Sequence, residues 1–304
     1  MIFLRVYSLC QKAYISSMNA TPRFATPIIS VLQLQALAAN DYILIDARSG
    51  PQAASQYEAG HLPNALHIDL DRDLSQKTED ASRGGRHPLP TLTHFATLLG
   101  QLGIKPESTV VVYDDKSGAN AAARFWWMLR AVGHIDVYVL DGGLQAAQAA
   151  GIPLSPEVVQ PKETDPYPVT KWQLPTVSID TVEAVSTDPA YVVIDVRDAY
   201  RYRGESEPID LIAGHIPGAI NIPFTQNLDT QNHFLPKEAL AKIYKAAIGE
   251  RPMDQVIMHC GSGVTACHTL LALEQAGMPG ARLYVGSWSE WSRTGRPIAT
   301  GEQP

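Results

Sequence analysis

The sequence predicts an α/β protein made of two tandem copies of one domain, each with a mainly parallel sheet flanked by helices on both faces. Two observations support this prediction. Four blocks of sequence occur twice, in the same order, within the 304 residues, and two long copies indicate a duplicated domain because solenoids need more copies of a shorter unit. Within each copy, short β-branched apolar runs alternate with helical patterns, as in parallel sheets that are buried on both faces.

The four repeated blocks mark out the two copies. They pair residues 42–50 with 191–199, 60–71 with 214–225, 110–123 with 255–268, and 141–154 with 285–298. We therefore predict a first domain over residues 23–154 and a second over 176–304, with residues 1–22 as an N-terminal extension. Residues 155–175 contain five prolines and little periodicity, which predicts a linker lying on the surface.

Hydrophobic periodicity places the main elements of each copy. In the first copy, strands are predicted at Ile43–Ile45, Val110–Tyr113 and Val137–Leu140, and helices at Val31–Ala39, Ala119–Ala131 and Leu144–Ala149. In the second copy, the apolar run Val256–His259 predicts a buried strand that ends directly before Cys260. Ligands of such sheets bind beyond the carboxyl ends of the strands, so Cys260 lies where a site is expected.

Composition excludes several classes of function. A formal net charge of −7 argues against nucleic acid as a partner. The chain has no run of 18 apolar residues, so we expect no transmembrane helix. Three cysteines form neither a disulfide framework nor a zinc pattern. We expect a cytoplasmic protein without a metal or an organic cofactor.

The turn after the strand Val256–His259 predicts a cysteine nucleophile. Cys260 stands between a strand and a helical pattern, where successive N–H groups and a helix N-terminus stabilise a thiolate. The loop that would cradle this sulfur and its substrate consists of Gly261, Ser262, Gly263, Val264 and Thr265. A buried cysteine of no chemical role would not need this glycine-rich backbone.

The same loop argues against a protein tyrosine phosphatase. Those enzymes hold phosphate with an arginine six residues after the cysteine, through a bidentate pair of hydrogen bonds. Position 266 in this sequence is an alanine, so a phosphate dianion would meet only backbone donors.

The Cys260 loop, the paired Gly-His-Leu/Ile-Pro motifs and the segment 286–291 (GSWSEW) resemble the two-domain rhodanese-type sulfurtransferases over residues 25–300 or so. The loop CGSGVTA and the segment 84–90 (GGRHPLP) are most similar to the 3-mercaptopyruvate branch. The resemblance implies a persulfide on Cys260 and a silent first domain. The repeat alignment agrees, because it places Asp115 opposite Cys260.

The resemblance implies a small-molecule sulfur donor, release of pyruvate, and a thiol acceptor such as a reduced thioredoxin, with cyanide as the assay acceptor. The loop itself carries no charge, which favours a donor with one remote carboxylate over the compact dianion thiosulfate. Thiosulfate sulfurtransferase, with the same persulfide, stays as the alternative. A non-catalytic binding module is the third hypothesis, and the intact cysteine loop argues against it.

Several further residues are candidates for the site. Arg197 follows a predicted strand and lies on the same rim as Cys260. The resemblance implies that two arginines in this segment bind substrate, so Arg197 and Arg203 are predicted to hold its carboxylate. The resemblance also suggests that a first-domain histidine pairs with the loop serine, which predicts a His61–Ser262 proton relay. The basic loop 83–87 either lines the cleft or faces solvent.

Overall fold

The first half of the chain forms one parallel sheet with helices on both faces. The structure is a computed structural model that describes residues 22–76 and 78–304, so the predicted extension over 1–22 lies almost entirely outside it. The strand order is β1-β5-β4-β2-β3, and every pairing is parallel. The strands are β1 (Ile28–Ile29), β2 (Ile43–Asp46), β3 (Ala65–His67), β4 (Val110–Tyr113) and β5 (Val137–Leu140). The helices are α1 (Val31–Gln35), α2 (Ala53–Ala59), α3 (Leu70–Asp73), α4 (Leu92–Gln101), α5 (Ala122–Ala131) and α6 (Gly143–Ala149).

The second half repeats this architecture. Its order, β6-β10-β9-β7-β8, is the same order with each strand number raised by five, and again all pairings are parallel. The strands are β6 (Thr176–Val177), β7 (Val192–Asp195), β8 (Ile220–Asn221), β9 (Val256–His259) and β10 (Arg282–Tyr284). The helices are α7 (Ile179–Val185), α8 (Ala199–Tyr202), α9 (Lys237–Ile248), α10 (Thr265–Gln275) and α11 (Ser287–Trp291), with short 3₁₀ turns at Phe224–Asn227 and Met253–Gln255. The prediction of a duplicated α/β fold is confirmed.

The core explains why these segments form strands and helices. Strands β4, β5, β7 and β9 are buried along their whole length, as expected for central strands covered on both faces. Between the halves, α5 packs against α10, and one apolar cluster runs through both domains. The two sheets therefore share a core at the interface that carries the active-site loop.

The linker lies against the first domain. Between α6 and Thr176 the chain has no helix or strand. Thr164 N–H donates to Gly100 O at 2.8 Å and Tyr167 N–H to Ala96 O at 2.9 Å, so this segment runs along the end of α4. A side chain at Gly100 would lie 2.7 Å from the carbonyl oxygen of Asp165, and glycine therefore permits the close approach.

The strand pairing shows which residue of the first domain is equivalent to Cys260, and it differs from the prediction. Asp46 pairs with Tyr113 in the first sheet, and Asp195 pairs with His259 in the second. Since Asp46 and Asp195 are equivalent in the repeat, Tyr113 matches His259. Asp114, and not Asp115 as the sequence alignment predicted, therefore occupies the place of Cys260.

Asp114 fills the loop of the first domain with its own carboxylate. This buried side chain accepts hydrogen bonds from the N–H groups of Lys116 and Gly118 at 2.8 Å, Asn120 at 3.0 Å and Ala122 at 3.2 Å. Because these N–H groups donate to the Asp114 side chain, they do not take part in a helix that starts at Ala119. Helix α5 begins at Ala122, three residues later than predicted. The loop of the first copy thus closes around its own buried carboxyl group, in the place where the second copy has Cys260.

Candidate active site

Cys260 lies at the carboxyl end of β9 in a loop that is fixed from behind. Its side chain is buried, and the residue is 3% exposed. Its N–H donates to the Ser287 hydroxyl at 3.2 Å, and its carbonyl oxygen accepts from Trp288 N–H at 3.0 Å. Gly263 has a φ of +73°, and a Cβ there would lie 2.5 Å from Val285 O. The loop therefore requires glycine at that position.

A histidine from the first domain meets the loop serine, but it is His87. The Oγ of Ser262 lies 2.7 Å from His87 Nδ1, and His87 Nε2 lies 3.1 Å from a carboxylate oxygen of Asp71. A carboxylate only accepts, so Nε2 carries the proton and Nδ1 accepts from the serine hydroxyl. The Asp71 side chain is 79% exposed, so this chain of three groups runs from the buried loop to water.

The surroundings of His87 keep its ring neutral. Burial, and after it the positive charge of Arg86, lower the pKa of His87 to about 4 against the opposing effect of Asp71. At neutral pH the ring is therefore uncharged, and its Nδ1 can accept the hydrogen bond of the Ser262 hydroxyl.

The predicted His61–Ser262 relay is wrong, because His61 fixes a turn. Its Nδ1 lies 2.8 Å from Tyr57 O and its ring stacks on Tyr57 at 3.9 Å. His215 makes the same two contacts with Tyr202, at 2.8 Å and 3.7 Å. A contact present in both copies, only one of which has the cysteine, does not indicate catalysis. The histidine that contacts Ser262, His87, lies in the basic loop 83–87. The carboxylate that contacts His87 belongs to Asp71, the last residue of the second repeated block.

Arg197 is not free to hold a substrate. Its side chain is 1% exposed. Its Nε and Nη2 bind the Asp195 carboxylate, Nη2 also donates to Gly214 O at 2.7 Å, and Nη1 donates to Glu207 at 3.1 Å. The guanidinium lies over the ring of Trp288, 4.6 Å from its centre. Each guanidinium nitrogen of Arg197 already donates a hydrogen bond within the protein. This contradicts the prediction that Arg197 binds the carboxylate of the substrate directly.

The first copy shows what Arg197 does. Arg48 binds Asp46 through Nε and Nη2 and donates from Nη2 to Gly60 O at 2.9 Å. These are the contacts that Arg197 makes with Asp195 and Gly214. The aspartate–arginine pair therefore fastens the strand end to the Gly-His turn in both domains.

Arg203 lies away from the loop, whereas Arg201 and Arg86 lie beside it. Arg203 is paired with Glu205 at 2.6 Å near the surface. A methyl group built on Gly261 would lie 3.3 Å from Arg86 Nη2, 3.3 Å from Asp210 Oδ2 and 3.5 Å from Arg201 Nη2. The loop sequence itself has no charge, but Arg86 of the first domain and Arg201 of the second place positive charge beside it.

These arginines belong to a network with a small excess of positive charge. Asp210, fully buried, binds Arg86, Arg201 at 3.2 Å and Arg293 at 3.5 Å. Glu207 binds Arg201 at 2.7 Å and joins the network to the Arg197–Asp195 pair. Four arginines face three carboxylates here, which leaves about one positive charge at the edge of the loop.

The remaining loop residues have structural contacts of their own. Val264 is buried in the shared core, and the Thr265 hydroxyl donates to Ala119 O of the first domain at 3.4 Å. Among the described residues, no cluster of three or more His, Cys, Asp or Glu side chains could hold a metal ion. Within the same part of the chain, no helix is long and apolar enough to cross a membrane.

Comparison with known proteins agrees with this geometry. The family model for the rhodanese-like domain matches residues 31–150 and again 178–294. The chain belongs to the rhodanese-like family. The protein of Pseudomonas aeruginosa named "Probable 3-mercaptopyruvate sulfurtransferase" is 42% identical, over 90% of this chain and 98% of that protein. The chicken thiosulfate sulfurtransferase is 34% identical, over 81% and 83%. The solved structure of 3-mercaptopyruvate sulfurtransferase from Leishmania major has a TM-score of 0.79 and 28% identity, covering 91% of this chain and 77% of that one.

The first rhodanese-like domain lacks the cysteine but supplies much of the site. It contributes the relay pair Asp71 and His87 as well as Arg86. A cavity of ≈ 770 Å³, lined by first-domain residues that include Asp71 and Arg86, opens beside the relay.

We expect Arg197→Met and Arg48→Met to lower the free energy of unfolding by similar amounts, about 3–5 kcal/mol, because each leaves a buried carboxylate unpaired. Denaturant unfolding of the two variants measures this. Folded Arg197→Met should keep a KM for the sulfur donor close to that of the wild type. A large rise in KM with unchanged stability would restore Arg197 to the substrate site.

Proposed function

We propose that the protein moves sulfur from 3-mercaptopyruvate, through a persulfide on Cys260, to a thiol acceptor and releases pyruvate. The observation that carries the proposal is the chain of contacts Asp71–His87–Ser262, which reaches from the first domain into the loop of Cys260. The names of the Pseudomonas and Leishmania relatives support the same donor.

In the first half-reaction, the Cys260 thiolate attacks the sulfur atom of the donor. An S–S bond forms, the C–S bond breaks, and its electron pair stays on carbon as the enolate of pyruvate. The proton of the donor thiol ends on the methyl carbon, so the products are a persulfide anion and pyruvate. No electrons are exchanged with any other reagent.

Ser262 and His87 are suited to carry that proton. The serine hydroxyl donates to the neutral His87 ring, which can hold a proton taken from the donor and return it to the enolate carbon. Asp71 binds Nε2, where it can stabilise the charged ring during the transfer, and Nδ1 faces Ser262. The 2.7 Å contact means that the proton moves without a change of conformation.

Arg86 and Arg201 are our candidates for holding the donor carboxylate. Both lie beside Gly261, and both are shared with Asp210, so the carboxylate would add to a network that already has about one positive charge in excess. A monoanion neutralises that excess. Arg197, whose contacts fasten the strand end, and Arg203 have no role in this proposal.

Thiosulfate is the second candidate donor, and the two guanidinium groups beside the loop favour it more than the uncharged loop sequence did. The chicken relative carries that name. A compact dianion would exceed the local positive charge, whereas one carboxylate matches it, and thiosulfate offers the relay no proton to carry. Mercaptopyruvate therefore fits the site better.

In the second half-reaction, an acceptor thiolate removes the outer sulfur and restores Cys260. Because Cys260 is 3% exposed, the acceptor must present a slender thiol, either a small molecule or an exposed cysteine such as that of a reduced thioredoxin. A reducing compartment is needed to keep both thiols free, and we propose the cytoplasm.

Cys260→Ser should form no persulfide. Wild-type protein mixed with 3-mercaptopyruvate should gain the mass of one sulfur atom at the peptide that contains Cys260, and the variant should gain nothing and release no pyruvate. Cys267→Ser is the matched control and should react like the wild type. Turnover by folded Cys260→Ser would overturn the proposal.

Arg201→Met should lower kcat/KM for 3-mercaptopyruvate at least tenfold, about 1.4 kcal/mol of transition-state binding, because the carboxylate loses a guanidinium partner. Arg203→Met, two residues away and paired at the surface, serves as the control and should change it by less than about twofold. Steady-state kinetics with both donors measures this. If the wild-type protein has a higher kcat/KM for thiosulfate than for 3-mercaptopyruvate, then thiosulfate is the preferred donor and the proposal is wrong about the substrate.

A further inference from the structure

Glu290 of α11 is a buried carboxylate that contacts the first domain. The residue is 8% exposed. Its Oε1 accepts a hydrogen bond at 2.7 Å from the N–H of Gly84, in the basic loop of the first domain. Its Oε2 accepts from the Tyr284 hydroxyl at 2.8 Å. One oxygen is thus held by its own domain, and the other binds the segment that carries the relay histidine.

Ser289, the residue before Glu290, contacts both loops of the site. Its N–H donates to the carbonyl oxygen of Gly261, next to Cys260, at 2.7 Å. Its hydroxyl accepts from the N–H of Arg86 in the basic loop at 3.0 Å. The first turn of α11 therefore holds the nucleophile loop through its backbone and the basic loop through two side chains.

The silent copy has the same turn without the carboxylate. At the start of α6, Leu144 N–H donates to the carbonyl oxygen of Asp114 at 2.9 Å. Trp288 makes the same contact with the nucleophile residue in the second copy, so the two turns are equivalent. Two positions further on, the silent copy has Ala146 where the second copy has Glu290. The turn itself therefore does not require a glutamate.

The tyrosine that holds Glu290 is also specific to the second copy. Tyr284 pairs with Val177 in the second sheet, as Leu140 pairs with Ile29 in the first, so a leucine takes its place in the silent copy. Burying a carboxylate whose hydrogen bonds come from neutral groups costs free energy. A pair that the shared fold does not need, and that costs free energy to bury, is expected to serve the site.

We propose that Glu290 is a positioning residue, which binds Gly84 N–H and so fixes the basic loop where His87 meets the Ser262 hydroxyl. The inference rests on the proposed relay through His87. Gly84 lies three residues before His87, so a displacement at one end of this short segment reaches the other. The His87–Ser262 contact is 2.7 Å long, and a misplacement of about 1 Å at a site can slow a reaction about 10²-fold.

The kinetic test is a double-mutant cycle between Glu290→Ala and His87→Gln, measured as kcat/KM for 3-mercaptopyruvate. Alanine is the residue of the silent copy, so the turn accepts it. Glu290→Ala should lower kcat/KM about tenfold or more in the wild-type background. In the His87→Gln background it should lower kcat/KM by less than about twofold, because Glu290 acts through His87. Equal losses in both backgrounds indicate a general structural role and would overturn the inference.

Glu290→Gln and Glu274→Ala are the matched controls. A glutamine carbonyl oxygen can still accept from Gly84 N–H, so Glu290→Gln should keep kcat/KM within about threefold of the wild type. Glu274 also pairs with the first domain, through Arg130 at 3.3 Å, but at the far end of α10. Its replacement by alanine should change kcat/KM by less than about twofold. A Glu290→Gln variant as impaired as Glu290→Ala contradicts the inference, and so does an equal loss in Glu274→Ala.

Hydrogen exchange of the basic loop tests the same contact without catalysis. The N–H groups of Gly84 and Arg86 donate to α11 in the wild type. Glu290→Ala should therefore speed deuterium uptake in a peptide that covers residues 83–87 by about fivefold or more, whereas Glu290→Gln should not. Unchanged uptake in Glu290→Ala would show that this residue does not hold the loop. Wild-type protein that forms no persulfide would instead contradict the proposed function, so the two failures are distinct.

Discussion

The contact between Ser262 and His87 joins the two domains at the point where the chemistry takes place. It depends on the close approach of the basic loop to α11, where Gly84 N–H donates to Glu290 at 2.7 Å and Arg86 N–H to the Ser289 hydroxyl at 3.0 Å. A Cβ on Gly85 would lie 2.3 Å from Gly286 O, so this docking is possible only with glycine. With the loop in this position, His87 contacts Ser262 and Arg86 lies beside Gly261.

The duplicated architecture explains how one half can lose its cysteine and remain necessary. The first domain keeps the strand-end pair, Asp46 and Arg48, and the stacked turn histidine, because these contacts stabilise the fold. Its own loop is occupied by Asp114. The groups that it adds to the site, Asp71, Arg86 and His87, lie in the residues after β3 and make none of the contacts that the two domains share.

Much of the fold could be predicted from the sequence because its signals are local. Alternating apolar runs indicated the strands, the repeat indicated two copies, and the strand–cysteine–glycine turn indicated Cys260. The alignment of the repeats was wrong by one residue at this loop, because it placed Asp115 and not Asp114 opposite Cys260. An ungapped alignment cannot show that Asp114 delays the start of α5.

The errors at the site have a common physical origin. Arg197 follows a strand, and the resemblance to the family implies a site role for both Arg197 and His61, yet each has an equivalent in the other copy, Arg48 and His215, with the same contacts. His87 and Arg201 reach the Cys260 loop only through contacts that form when the chain folds. The contact of His87 crosses the interface between the two domains. For the basic loop 83–87 the sequence leaves both the cleft and solvent open, and it cannot show that His87 contacts Ser262.

The most direct test of the account is a double-mutant cycle on kcat/KM for 3-mercaptopyruvate, with Ser262→Ala, His87→Gln and the two together. Each single change should lower kcat/KM by about 10²–10⁴, and the double variant should be no more than about threefold worse than the poorer single one, because the two groups act as a unit. His61→Gln, measured on protein that remains folded, should have little effect. Losses that multiply, or an unaffected His87→Gln, would contradict a relay between the domains.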